Sequence, residues 1–129
     1  PWPKVERGKE SMRLLCQKDA HEQSSAIESF HEDLMNILSD ETQPDSDDQL
    51  PETGLQLSDE PFLSSIFVPK GMFYGKDYGT RSSTTIVVDL DGRVSVLERT
   101  WYPERKDRWF CFDSKAGDAM QGMLVSCTP

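Results

Sequence analysis

At 129 residues and 36% apolar composition the chain holds one domain at most, and it is short enough to be part of one. Its 14 basic and 23 acidic residues leave a formal charge of −9, which argues against nucleic acid or an anionic membrane as partner, since either polyanion would repel it. No apolar run approaches the ~20 residues of a transmembrane segment, and Cys16, Cys111 and Cys127 lack zinc-site spacing, an odd and sparse set that suits a reducing compartment.

The first expected element is a helix over residues 4–18. Pro3 suits its first turn, where the missing N–H would be unpaired anyway. Val5, Met12, Leu15 and Cys16 are compatible with one face, and Gly8 costs the helix about 1 kcal/mol relative to alanine. A second helix is expected over residues 25–39. Ser25 and Glu28 have the spacing of a capping box, and Ile27, Phe30, Leu34, Ile37 and Leu38 recur as one apolar stripe. Glu32 and Asp33 fall off that stripe and read as solvent-facing. His21 and His31 have no second ligand at helical spacing, so they read as solvated surface histidines rather than metal or haem ligands.

Residues 39–60 carry eight acidic side chains and neither lysine nor arginine. With four prolines or glycines over residues 42–61, this stretch reads as a loop or disordered insert, too long to be a core connection. The chemistry changes at Phe62. Leu63-Ser64-Ser65-Ile66-Phe67-Val68 is a strand candidate closed by Pro69, and residues 70–79 read as a loop with glycines and aromatics. Ile86-Val87-Val88 and Val94-Ser95-Val96-Leu97 flank Asp91-Gly92, a strong two-residue hairpin signal. A type I′ turn there sets Val88 opposite Ser95 and Val87 opposite Val96. It places Val87, Val94 and Val96 on one face and Ile86, Val88, Leu90 and Leu97 on the other, so the hairpin would need cover on both sides. Trp109-Phe110-Cys111-Phe112 is a further strand after a charged connection over 104–108, and residues 114–129 are assigned no element.

No catalytic signature stands out: the nucleophile elbow, the Walker loop, the dinucleotide fingerprint and the zinc-protease helix are all missing. Asp89 and Asp91 flank a tight turn, where aspartate is locally favoured. The most suggestive polar cluster is Tyr78, Gly79, Thr80, Arg81 and Ser82, a candidate ligand-binding set that enters the Ile86 strand. Gly79 permits a positive-φ turn, Thr80 and Ser82 offer hydroxyls, and Arg81 offers a planar, permanently charged fork for a carboxylate. The competing reading is structural: Arg81 pairs with Glu98, or with another carboxylate at the core edge, and pins the sheet.

Taken in order, Leu63-Ser64-Ser65-Ile66-Phe67-Val68, Tyr78-Gly79-Thr80-Arg81-Ser82-Ser83-Thr84, Val88-Asp89-Leu90-Asp91-Gly92-Arg93-Val94 and Glu98-Arg99 resemble the C-terminal half of the transport and Golgi organisation 2 family. The resemblance implies an α+β fold, part of a four-layer αββα sandwich similar to N-terminal-nucleophile hydrolases, with an antiparallel sheet and flanking helices. On that reading residues 1–39 are a helical part, 40–61 an acidic flexible insert, 62–113 the β-rich part of the same domain, and 114–129 a tail. It implies a role in Golgi organisation, secretion and intracellular haem trafficking, in the cytoplasm with Golgi or mitochondrial association. Haem, or another anionic small ligand, would be cargo rather than a required cofactor. The family's Asn-Arg-Asp-Glu motif is absent and is expected upstream of Pro1, in a missing N-terminal half of the same protein. The reading leans to a non-enzymatic role. The alternative is an amide hydrolase of the N-terminal-nucleophile type whose nucleophile lies upstream of this chain.

Overall fold

The computed structural model describes residues 2–21, 27–46, 50, 54 and 60–113, with the backbone alone at 19–21. Its architecture is α+β, the class expected from the sequence. Two helices, α1 (Pro3–His21) and α2 (Ile27–Leu38), precede a 3-10 turn at Pro61–Leu63. Among the described residues five strands follow: β1 (Gly71–Phe73), β2 (Lys76–Tyr78), β3 (Ser82–Val88), β4 (Arg93–Thr100) and β5 (Lys106–Asp113). They form a two-stranded sheet, β1-β2, and a three-stranded sheet, β3-β4-β5, both antiparallel. The chain divides into two compact units, residues 1–80 and 81–129. Among the described residues no helix is long and apolar enough to cross a membrane.

In the first unit, α1 buries little beyond Leu15, while Val5, Met12, Leu14 and Cys16 are exposed. A Cβ at Gly8 would lie 3.4 Å from Ile66 Cδ1, close to an ordinary contact, so the helix passes beside the 64–68 segment at this turn without requiring a glycine there. Polar contacts tie the same helix down. Lys4 Nζ donates to the Leu63 carbonyl at 2.7 Å, and Arg7 reaches both the Asp40 carboxylate (3.1 Å) and the Thr42 carbonyl. The Phe67 N–H donates to the Asp40 carbonyl at 2.8 Å.

The buried line of α2 differs from the expected stripe. His31 and Met35, at i and i+4, are both fully buried, whereas Ile27 is exposed. His31 is therefore a core histidine and not a solvated one. Burial pushes its pKa down, while the charges of Glu28 and Glu32 pull it part of the way back. Glu32 and Asp33 are half-buried rather than solvent-facing, and Asp33 meets Lys18 at 3.5 Å. Ser25 of the expected capping box lies outside the described residues, as does half of the acidic stretch. At that stretch's ends, Asp40 is hydrogen-bonded and Glu60 is buried.

Residues 63–68 form no strand. Ser64 N–H and Ser64 Oγ both donate to the Pro61 carbonyl, and Ser65 Oγ donates to the Phe67 carbonyl. These local serine bonds offer the backbone an alternative to a ladder, and it takes them. The expected loop at 70–79 is instead the β1-β2 hairpin, with Phe73 opposite Lys76. Its two turn residues, Tyr74 and Gly75, both have positive φ (49° and 74°), the signature of a primed two-residue turn. Phe73 then stacks on Phe62 (centroids 5.9 Å apart) and tilts against Tyr78 (5.3 Å).

In the second unit the hairpin exists where expected, but its register is shifted. Val88 pairs with Val94, Val87 with Ser95 and Ile86 with Val96. The Asp89 N–H donates to the Arg93 carbonyl and the Gly92 N–H to the Asp89 carbonyl, so the loop is three residues long, with Gly92 in the left-handed region at φ 86°. A three-residue loop closed by such a glycine replaces the two-residue turn. The shift regroups the side chains. Ile86, Val88, Val94 and Val96 now share one face, and Thr85, Val87, Ser95 and Leu97 share the other. The second face is the more buried, with Ser83, Thr85, Ser95, Leu97 and Arg99 all under 10% exposed. On the aliphatic face Ile86 is 64% and Val88 60% exposed. The two faces are thus unlike, one buried and mostly polar and the other aliphatic and more open, which corrects the expectation that both are apolar.

Candidate functional site

The expected site residues fall into two groups. Tyr78, Gly79 and Thr80 belong to the first unit and hold its chain together. Tyr78 joins the aromatic cluster. Gly79 passes so close to the neighbouring chain that a Cβ would sit 3.0 Å from Lys70 Cα. Thr80 Oγ1 accepts from the Val68 N–H (2.9 Å), and its own N–H donates to the Val68 carbonyl (2.8 Å). Arg81 and Ser82 belong to the second unit, where they line an open cleft of about 500 Å³.

Strand register builds that cleft. Ser82, Thr100 and Lys106 stand in one row across β3, β4 and β5, and Glu98 stands opposite Arg108 in the next row on the same face. Alternation along a strand brings every second residue to one side, so these polar positions converge at one end of the sheet. Arg81 precedes β3, and Tyr102, Pro103 and Glu104 of the β4-β5 loop also line the cleft. Three cations, Arg81, Lys106 and Arg108, thus meet two carboxylates, Glu98 and Glu104. Glu98 takes Arg108 as its partner at 3.5 Å and not Arg81, so the sheet-pinning role first considered for Arg81 falls elsewhere. Among the described residues neither Arg81 nor Lys106 is ion-paired. Two cations and three hydroxyls (Ser82, Thr100, Tyr102) are what an oxyanion of a small ligand would need.

The pin itself is Arg99. Its guanidinium, 4% exposed, makes a two-pronged contact with Asp107, Nε to Oδ1 at 2.8 Å and Nη2 to Oδ2 at 2.7 Å. The hydrogen bond from Arg99 holds the Asp107 carboxyl below its ordinary value. Burial opposes the shift, and the charges of Arg99 and Arg105 add to it. Residues 104–108, read from sequence as a connection, include the start of β5, and Lys106 and Arg108 were missed for that reason. The signal that finds them is charge at alternate positions opposite Thr100 and Glu98, visible only once the register is known.

Cys111 is disulfide-bonded and Cys16 is a free, exposed thiol, so the cysteines are not all reduced as the expected reducing compartment would have them. Among the described residues no cluster of histidine, cysteine and carboxylate is placed to hold a metal ion. A family model described as Transport and Golgi organisation 2 matches residues 1–103. No curated protein matches the chain.

Proposed function

Since the chain belongs to the transport and Golgi organisation 2 family, we propose that it acts in Golgi organisation and secretion as a non-enzymatic carrier of a small anionic ligand, with haem as the candidate cargo. The observation that carries this reading is the cleft in which Arg81 and Lys106 stand among hydroxyls, neither of them ion-paired among the described residues. A haem propionate has the charge and size to bridge them. The same reading places the protein in the cytoplasm, associated with the Golgi or mitochondria.

The fold belongs to the proposal as well. An aliphatic sheet face with Ile86 and Val88 more than half exposed supports a further layer packed upon it, as in a four-layer αββα sandwich.

Titrating haem into the protein and into its Arg81→Ala variant tests the ligand reading. Losing one charge-assisted contact should weaken binding about tenfold or more. Equal affinity in the two proteins removes Arg81 from the site.

A further inference from the structure

We infer that Trp101 is the positioning residue of this cleft: from the opposite face of the sheet it fixes Arg81 relative to the lining residues 102–104. The inference rests on the cleft reading above and concerns how the cleft keeps its shape.

The β4-β5 ladder ends at the Thr100–Lys106 pair, so residues 101–105 lie outside it. Tyr102, Pro103, Glu104 and Arg105 are all exposed, while Trp101 alone of the five is half-buried. Its N–H donates to the Arg81 carbonyl at 2.8 Å, which ties the loop to the residue preceding β3. Its indole Nε1–H donates to Ser83 Oγ at 2.9 Å, a second tie to the same strand one residue beyond Ser82. Two guanidinium groups approach the ring, Arg99 at 5.6 Å and Arg105 at 5.8 Å from its centroid. Arg99 is itself held by the fork on Asp107, one residue after Lys106. Trp101 thus connects the residue preceding β3, the loop and, through Arg99, the start of β5; the first and last of these carry the cleft's cations, and the loop carries Glu104. Trp101 does not line the cleft, so an effect on binding must pass through the residues it holds.

Trp101→Phe keeps an aromatic ring beside the guanidinium groups and deletes the indole donor, while Ser83→Ala deletes the acceptor of the same bond. Each should weaken haem binding about three- to tenfold, the worth of one net hydrogen bond. The double variant should be no weaker than the worse single, because both remove one interaction. Wild-type affinity in both folded single variants overturns the inference, and if Arg81→Ala still weakens binding the cleft reading stands without it. If Arg81→Ala binds haem as well as wild type, the cleft reading is what fails. The positioning role is then read without ligand, from the backbone amide resonances of Arg81 and Glu104. These should shift in Trp101→Phe and Ser83→Ala alike, and unmoved resonances overturn it.

Discussion

A buried guanidinium is costly unless its hydrogen-bonding geometry is good, and the Arg99–Asp107 fork supplies that geometry. Asp107→Asn keeps the shape and removes the charge, leaving Arg99 without this partner. It should lower stability by about 2–3 kcal/mol in urea unfolding, below the usual cost of a buried pair because Asp107 keeps a third of its side chain in water. Arg99→Lys should not rescue the loss, since an ammonium cannot make the planar two-pronged contact. Two glycines separate space from propensity in the same way. Gly79→Ala drives a methyl to 3.0 Å from Lys70 Cα, which is backbone and cannot yield, so a loss of about 1–3 kcal/mol is expected. Gly8→Ala meets only the tip of Ile66 at 3.4 Å and gains helix propensity, so it should raise stability by up to about 1 kcal/mol. Thermal melts of the two variants should move in opposite directions.

Among the elements, the β3-β4 hairpin shows what decides a register. Asp89 Oδ1 accepts from the Arg93 N–H at 2.8 Å, while Asp91 is 82% exposed and reaches Arg93 only at 3.8 Å. Asp89→Ala should therefore cost about 1 kcal/mol, and Asp91→Ala almost nothing, by chemical denaturation. The hairpin's existence was legible because β-branched runs flank an Asp-Gly pair, yet its register was not. Gly92 suits the second position of a two-residue turn and the last position of a three-residue loop equally well, and the Asp89 side chain closes the longer one. The 63–68 strand was misjudged for a related reason: its hydrophobic pattern ignores the hydroxyls of Ser64 and Ser65, which take up the local carbonyls. Periodicity placed α2 within two residues of its bounds but rotated its buried line, because a histidine was not counted as a core residue. Of the site, Arg81 and Ser82 were legible as a polar pair entering a strand. Thr100, Lys106 and Arg108 join them only across the ladder, and no pattern within a single segment encodes that pairing.

For the molecule as a whole, burial of His31 sets how acid acts on the two units. Its folded pKa lies below the ordinary 6.5, chiefly through burial, so between those two values the unfolded chain binds the proton and the folded one does not. Stability is then full above about 6.5, falls as the pH drops below it, and stops falling below the folded value. Asp40 contributes with the same sign in a lower window. Burial alone would raise its carboxyl, but hydrogen bonds from Thr42 and Arg7 outweigh that and hold it below the ordinary 3.8. Its share of stability is present above 3.8 and lost as the pH falls through the folded value, and the Arg99-bonded Asp107 behaves likewise. His31 and Asp40 lie in the first unit and Asp107 in the second, so mild acid should weaken the first unit before the second. Thermal melts from about pH 7 to pH 5 should show a falling Tm in the wild type and a flat one in His31→Gln, whose amide does not titrate. Below about pH 4 both proteins should lose stability together as the carboxylates protonate. An equal fall in both between pH 7 and 5 would mean that the proton is taken up elsewhere and that His31 carries no stability of this kind.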